Sequence, residues 1–247
     1  MHEDKFAEEK QLMLLFRDAL KDFPKGKLIK SEAPDFILRE AHKKKTGIEL
    51  TRLHGKNSEK HNPLEAGSKE SRMVNEVKSI SRAGFKKHLH VKFIFNESGF
   101  EESDISLYAS FLGLYLNKLL EKQSLKNSWV LKAGDKLPAF LDTIAIAYHP
   151  DFRESSWSPA KNFLLYELNR EIIEHSLLLK EEKLAHYRSR DFDQYWLVLS
   201  TLHFKSSKNF HKANKLDKWK FSSSFNRIFL YELLNNKVYE LNHSSGT

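Results

Sequence analysis

Two short apolar segments, each carrying one carboxylate, constrain the fold more than any other part of the sequence. Residues 34–38 read Pro-Asp-Phe-Ile-Leu, and residues 47–53 read Gly-Ile-Glu-Leu-Thr-Arg-Leu. Apolar and β-branched neighbours favour a short strand around both Asp35 and Glu49. The polar residues 39–46 have the composition and length of a turn, so we predict a hairpin that brings the two carboxylates close together.

The carboxylate pair points to a metal site. Two carboxylates held together repel each other unless a cation lies between them, and a divalent metal is the usual cation. A buried aspartate on a strand can also cap a turn or pair with an arginine, and Asp35 alone fits either role. Glu49 as its partner favours the metal. The chain has no cysteine, so any metal must be bound by oxygen or imidazole.

The spacing of apolar residues predicts the other elements of a mixed α and β chain. Predicted helices share a stripe of apolar residues at three- and four-residue steps and cover about 5–22, 71–83, 104–122 and 162–190. Predicted strands cover 27–30, 88–95, 141–148, 195–199 and a closing hairpin of 225–231 with 237–241. We expect 54–71 and 151–161 to be loops and the tail from 242 to be disordered.

Three local features of these elements lead to specific expectations. Ser103 is the predicted N-cap of the helix at 104–122, whose wide apolar stripe we interpret as facing a core. His88 and His90 share one face of their strand and could bind a metal. Without a third ligand, an exposed polar strand face is the simpler interpretation.

Net charge favours a phosphate-rich partner without requiring one. Lysine and arginine number 41 against 33 aspartates and glutamates, which gives a net charge of +8. A positive surplus attracts nucleic acid, although many soluble proteins are basic without binding it. The segment 201–224 could be a basic arm or a solvated loop. Its candidate phosphate contacts are Lys205, Lys208, Lys212 and Lys215.

Several classes of protein are disfavoured by what the sequence lacks. No window approaches the roughly 18 consecutive apolar residues of a membrane span, and the charged N-terminus does not begin a signal peptide. We therefore expect a cytoplasmic protein without membrane association. The sequence contains no Gly-rich phosphate loop, no Gly-x-Ser-x-Gly elbow and no His-Glu-x-x-His motif. A small-molecule enzyme with an unrelated carboxylate pair therefore has no motif in its favour.

Pro34-Asp35 followed by Glu49-Leu50-Thr51 resembles the motif of the PD-(D/E)xK, or restriction-endonuclease-like, nuclease superfamily. Thr51 stands where that family usually has lysine. The strand at 195–199 and the closing hairpin extend the likeness over most of the chain. The resemblance implies an α/β (α+β) fold with a mixed central sheet flanked by helices. It also implies a single nuclease-like domain over 1–247, with an inserted helix and strand region at about 65–165 and a C-terminal hairpin.

The resemblance further implies a magnesium-dependent endonuclease that hydrolyses phosphodiester bonds of DNA. Asp35, Glu49 and the carbonyl of Leu50 would bind Mg²⁺ or Mn²⁺. In divergent members the catalytic lysine can lie on the adjacent helix, where Lys180, Lys183 and Tyr187 share one side. Lys180 or Lys183 would then replace the lysine missing at Thr51.

A glutamate of the first helix can assist the metal in this family, and Glu8 and Glu9 are the candidates here. Such a glutamate is more often a solvated residue favoured by the helix dipole. The alternative function is a catalytically inactive nuclease-fold module that binds nucleic acid or a partner protein, and Thr51 favours it. We expect DNA as the partner and allow for a homodimer.

Overall fold

The chain folds into two compact units. The structure is a computed structural model that describes residues 2–53, 68–84, 87–124, 126–134, 136–161, 168–187, 192–202 and 216–245. Unit one comprises Met1–Leu15 and Asn57–Leu164, and unit two comprises Phe16–Lys56 and Leu165–Thr247. The inserted region predicted at about 65–165 falls almost entirely within unit one.

The helices and strands are numbered in chain order. The α-helices are α1 (His2–Ala19), α2 (Lys69–Gly84), α3 (Ile105–Leu120) and α4 (Arg170–Tyr187). The strands of unit two are β1 (Gly26–Lys30), β2 (Phe36–Glu40), β3 (Lys45–Arg52), β8 (Gln194–Thr201), β9 (Phe221–Ser223), β10 (Arg227–Glu232), β11 (Lys237–Glu240) and β12 (His243–Ser245). The strands of unit one are β4 (Leu89–Phe95), β5 (Trp129–Ala133), β6 (Leu141–Tyr148) and β7 (Ser156–Lys161).

Unit two is built on a mixed sheet. Within the described residues its order is β1-β2-β3-β8-β10-β11. The β3-β8-β10 pairs are parallel, and the outer pairs are antiparallel. Strands β8 and β10 have continuous apolar stretches, because a parallel strand is covered on both faces, whereas β3 carries polar residues, including Glu49. The structure therefore confirms the predicted α+β chain with a mixed central sheet flanked by helices.

Helix α4 covers one face of the unit two sheet. Its Ile173, Leu177 and Leu184 share a buried cluster with Leu197 and Leu199 of β8. The opposite face carries aromatic side chains packed edge to face or tilted, with ring centroids 5.3–6.1 Å apart. They are Phe16, Phe23, Trp196, Phe229 and Tyr231.

Unit one contains a second sheet, whose described strands follow the order β5-β6-β4-β7. Helices α2 and α3 pack on one face, where Val77 and Leu112 share a core with Phe93 of β4. The alternate residues of β4 point to the opposite face, which α1 lines with polar side chains. There Glu8 forms an ion pair with Lys92.

Local periodicity predicted most elements correctly, including the β2–β3 hairpin, β6 and the β10–β11 hairpin. Three segments expected to be irregular contain strands instead, one of which is β9 at the end of the predicted arm or loop at 201–224. Part of the predicted loop at 151–161 is β7, which pairs in parallel with β4. Part of the tail is β12, which pairs in parallel with β9. Both pairings join strands far apart in the sequence, so local periodicity carries no signal for them.

Ser103, expected to cap α3, is not its N-cap. A 3₁₀ turn over Glu102–Asp104 precedes the helix, and Asp104 occupies the N-cap position without a capping side-chain hydrogen bond. Within this turn the backbone N–H of Asp104 donates a hydrogen bond to the carbonyl of Glu101. The helix therefore starts at Ile105, one residue later than a serine cap at position 103 requires.

His90, expected on an exposed strand face, is buried with 1% of its surface accessible. Its Nδ1 lies 2.6 Å from Ser156 Oγ and 3.2 Å from Gln11 Oε1. Helix α1 supplies Gln11, which a local strand pattern cannot reveal. His88 is exposed, so the two histidines do not share one environment.

Among the helices that the structure describes, none has the length and apolar character needed to cross a bilayer.

Candidate functional site

Unit two brings Asp35 and Glu49 together across the β2–β3 hairpin. The antiparallel register pairs Phe36 with Ile48. Asp35 immediately precedes Phe36, and Glu49 immediately follows Ile48, so the same register places the carboxylates opposite each other. Opposed residues of an antiparallel pair project to the same face of the sheet. The hairpin thus concentrates two negative charges on one face.

Helix α4 places a lysine against this pair. Lys180 Nζ donates a hydrogen bond of 2.8 Å to Glu49 Oε2. Only 12% of the lysine side chain and 5% of the glutamate side chain are accessible to solvent. Lys180 lies three residues after Leu177 and four before Leu184, and both leucines are buried against the sheet. That spacing puts the lysine on the buried stripe of α4, with its ammonium directed at the carboxylates.

Asp35 is held in a defined orientation but carries an electrostatic penalty. The backbone N–H of Leu50 donates to Asp35 Oδ2 at 2.8 Å, and Lys30 Nζ lies 3.9 Å from Oδ1. Burial raises the pKa of Asp35 above its ordinary value, and the negative charge of Glu49 raises it further. The Leu50 N–H, Lys180 and Lys30 act in the opposite direction without offsetting that rise.

Sequence reasoning missed Lys30, although a signal for it existed. It ends a predicted strand and precedes Asp35 by five residues, so a short connection keeps its amine within reach of the carboxylate. In the structure it also donates to the carbonyl of Ser31 at 3.1 Å. Its ammonium lies 4.9 Å from the centroid of the Phe36 ring. Lys30 therefore places a second cation beside the carboxylate pair.

The other predicted site residues divide into those near the carboxylates and those elsewhere. Thr51 follows Glu49 by two residues and so projects from the same face of β3; it is partly buried. Lys183 is exposed, which separates it from Lys180. Glu9 is half-buried on the portion of α1 that belongs to unit one.

Two predictions fall outside the described parts of the structure. The side chain of Tyr187, at the end of α4, is not among the described side chains. The predicted basic arm also lies outside the described residues, with Lys205, Lys208, Lys212 and Lys215.

The donor set of the site suits a hard divalent cation. Asp35 and Glu49 offer carboxylate oxygens, and Mg²⁺ binds through one or two carboxylates while it keeps several of its waters. A cation between them would also relieve the repulsion that raises the pKa of Asp35. No cluster of three or more His, Asp or Glu side chains able to hold a metal occurs among the described residues. The fit is thus to a two-carboxylate site completed by water.

The arrangement can act chemically on an anion. Two cations, Lys180 and Lys30, flank the carboxylate pair of the hairpin. The backbone N–H of Leu50 fixes the orientation of the Asp35 carboxylate. Such a site can hold a metal ion through its carboxylates and a phosphate through its ammonium groups.

Comparisons of the chain with protein-family models, with curated proteins and with solved structures give no match.

Proposed function

We propose that the protein is a metal-dependent nuclease that hydrolyses phosphodiester bonds of DNA, with a restriction-endonuclease-like core in unit two. One observation carries the proposal: Lys180 Nζ lies 2.8 Å from Glu49 Oε2, beside Asp35. A lysine at this point supplies the positive charge that Thr51 cannot supply from the motif strand. The resemblance of Pro34-Asp35 and Glu49-Leu50-Thr51 to the superfamily motif supports the same reaction class.

Each residue of the site has a distinct role in this proposal. Asp35, Glu49 and the carbonyl of Leu50 hold Mg²⁺ or Mn²⁺. The metal, when bound, supplies an activated water and Lewis-acid stabilisation of phosphoryl charge. An ammonium has three N–H donors, and the bond to Glu49 uses one, so Lys180 can also donate to a phosphate oxygen. Next to that phosphate oxygen, the positive charge of Lys180 stabilises the transition state more than the ground state.

The rigid placement of these groups matters because phosphodiester hydrolysis is intrinsically very slow. The Leu50 N–H donates a hydrogen bond of 2.8 Å to Asp35 Oδ2. The register of β2 and β3 fixes the positions of both carboxylates along the hairpin. Lys30, 3.9 Å from Asp35 Oδ1, stabilises the ionised carboxylate that a metal requires. Groups that are positioned in advance lower the entropic part of the barrier.

The net charge of the chain supports DNA as the proposed substrate. A net charge of +8 favours a polyanion such as DNA and makes its binding weaken as salt increases. Lysines of the segment at 201–224 remain predicted phosphate contacts.

Cleavage assays with matched carboxylate variants test the proposal. Supercoiled plasmid, linear duplex and single-stranded DNA are incubated with the purified protein and Mg²⁺ or Mn²⁺. Wild-type protein should cut only with metal, whereas Asp35→Asn and Glu49→Gln should not cut. Glu232→Gln is the control, because Glu232 is a buried carboxylate on the same sheet two strands from β3, and it should cut normally.

Two results would contradict the proposal. Cleavage by Asp35→Asn at the wild-type rate would mean that the chemistry lies elsewhere or comes from a contaminant. Absence of cleavage on every substrate, with salt-sensitive DNA binding retained, would favour the inactive nuclease-fold module. Calorimetric titration with Mn²⁺ tests the metal site directly, since both variants should lose metal binding while circular dichroism shows an intact fold.

A further inference from the structure

Helix α3 of unit one has an apolar face that the described structure leaves uncovered. Its inner face is buried in the core through residues such as Ala109, Leu112 and Leu116. Its outer face exposes 69% of Leu107, 45% of Phe111 and 65% of Leu114. No charged residue occurs from position 105 to 117, although 30% of the whole chain is charged. A helix that is apolar on two opposite faces needs a second partner for the outer one.

The outer residues follow the spacing of a helix-packing seam. Leu107, Phe111 and Leu114 are separated by four and three residues, the alternation that keeps apolar side chains facing an adjacent helix in a coiled coil. Continuing the same alternation outward reaches Asp104 at the N-terminal end and Lys118 at the C-terminal end. The seam, defined as these five positions, is therefore apolar in the middle and oppositely charged at its two ends.

The charges at the two ends of the seam complement each other when two copies of α3 pack antiparallel. Phe111 lies seven residues from both Asp104 and Lys118. A two-fold axis through Phe111 would pack two copies of α3 antiparallel and place Asp104 of one copy level with Lys118 of the other. The same axis sets Leu107 against Tyr115 of the other copy, and Tyr115 is already stacked on Phe111 with ring centroids 6.4 Å apart. A parallel arrangement would instead oppose like charges at both ends.

We propose that the exposed face of α3 is the interface of a homodimer in which two copies of the helix pack antiparallel about Phe111. An isologous contact of this kind needs no other partner, because one patch supplies both sides. Three large side chains from each copy form a small interface, so the dimer should dissociate in the micromolar range, on the order of 1–100 μM. This inference does not depend on the proposed nuclease activity.

Sedimentation velocity of the full chain tests the interface over a concentration range of about 1 to 200 μM. Wild-type protein should shift from monomer to dimer across that range. Phe111→Lys places two ammonium groups on the two-fold axis and should keep the protein monomeric throughout. Leu178→Lys is the control, since Leu178 is 60% exposed on α4 and lies outside the seam; it should dimerise like wild type.

Charge exchange tests the antiparallel orientation. Asp104→Lys or Lys118→Asp alone converts both end pairs into like-charge pairs and should weaken the dimer about tenfold. The double variant Asp104→Lys with Lys118→Asp restores opposite charges at both ends and should recover wild-type affinity. In a parallel dimer the single variants would instead match wild type.

Three outcomes would overturn the proposal. Wild-type protein that stays monomeric over the whole range removes the dimer. A dimer that persists in Phe111→Lys forms through another surface. Single charge variants as tight as wild type exclude the antiparallel seam. If the wild-type monomer co-sediments with anionic lipid vesicles and Phe111→Lys does not, the face binds lipid instead of a second copy.

Discussion

Both units bury a lysine against a glutamate on a face of their central sheet, but with different surroundings. In unit one Lys92 Nζ lies 2.7 Å from Glu8 Oε1, and in unit two Lys180 Nζ lies 2.8 Å from Glu49 Oε2. Unit two adds a second carboxylate, Asp35, whose pKa is raised by burial and by the charge of Glu49. Near-identical pair distances therefore occur in two electrostatic environments.

The difference separates a structural pair from a candidate site. In unit one Glu8 and Lys92 form an ion pair, and the neighbouring His90 and Ser156 form hydrogen bonds with Gln11. In unit two the folded state keeps Asp35 at an electrostatic cost that Lys180 and Lys30 do not remove. Crowded carboxylates with a perturbed pKa are typical of functional sites, because folding alone gains nothing from them. A bound cation would remove that cost.

The largest expected effect concerns the lysine of unit two. Lys180→Met should lower the rate of DNA cleavage by about 10²–10³-fold, as expected when one positioned group that stabilises transition-state charge is lost. Lys183→Met should leave the rate unchanged, because Lys183 is exposed on the same helix. Both rates are measured on supercoiled plasmid with Mg²⁺. Equal rates for the two variants would remove α4 from the chemistry and erase the distinction between the units.

A somewhat smaller effect is expected on the stability of unit one. Glu8→Gln removes the negative charge that pairs with the buried Lys92 and should destabilise the fold by about 3 kcal/mol. Urea unfolding measures the loss, and hydrogen exchange of the β4 amides locates it. Metal affinity in unit two should not change. Unaltered β4 protection would mean that the ion pair does not stabilise unit one.

The smallest effect is a gain in stability in unit two. Asp35→Asn keeps an oxygen for the Leu50 N–H and removes the charge that repels Glu49. Without divalent metal at pH 7, the variant should be more stable than wild type by about 1 kcal/mol. This is the usual gain in stability when an unfavourable interaction at a functional site is removed. Thermal unfolding monitored by circular dichroism provides the comparison.

The pH dependence of that gain has a definite sign. A raised pKa means that the folded state binds more protons than the unfolded state between the ordinary value of 3.8 and the raised value. The contribution of Asp35 to stability is therefore fully present below pH 3.8 and is lost as the pH rises through the raised pKa. The advantage of Asp35→Asn should disappear towards pH 3.8. An advantage that persists at that pH would point to packing instead of charge.

The candidate site was predictable where its geometry is local. Asp35 and Glu49 are 14 residues apart on two strands with clear apolar patterns, and a polar turn between them predicts the hairpin and its register. Lys180 was predicted only together with Lys183. The buried positions of Leu177 and Leu184 distinguish the two, because they align with Lys180 at three- and four-residue steps. That signal is in the sequence, but it needs the knowledge of which face of α4 is buried.

The sequence by itself determined most of the helices and strands, the carboxylate pair and the net charge, because periodicity and turn composition act over a few residues. Tertiary structure decided the partners: Lys180 reaches Glu49 across 131 residues, and α1 buries His90 on a strand that looked half polar. It also decided that α3 buries one apolar face and exposes another, since an uncharged helix shows no preferred side in sequence. Long-range packing selects among faces and pairings that local patterns leave equivalent.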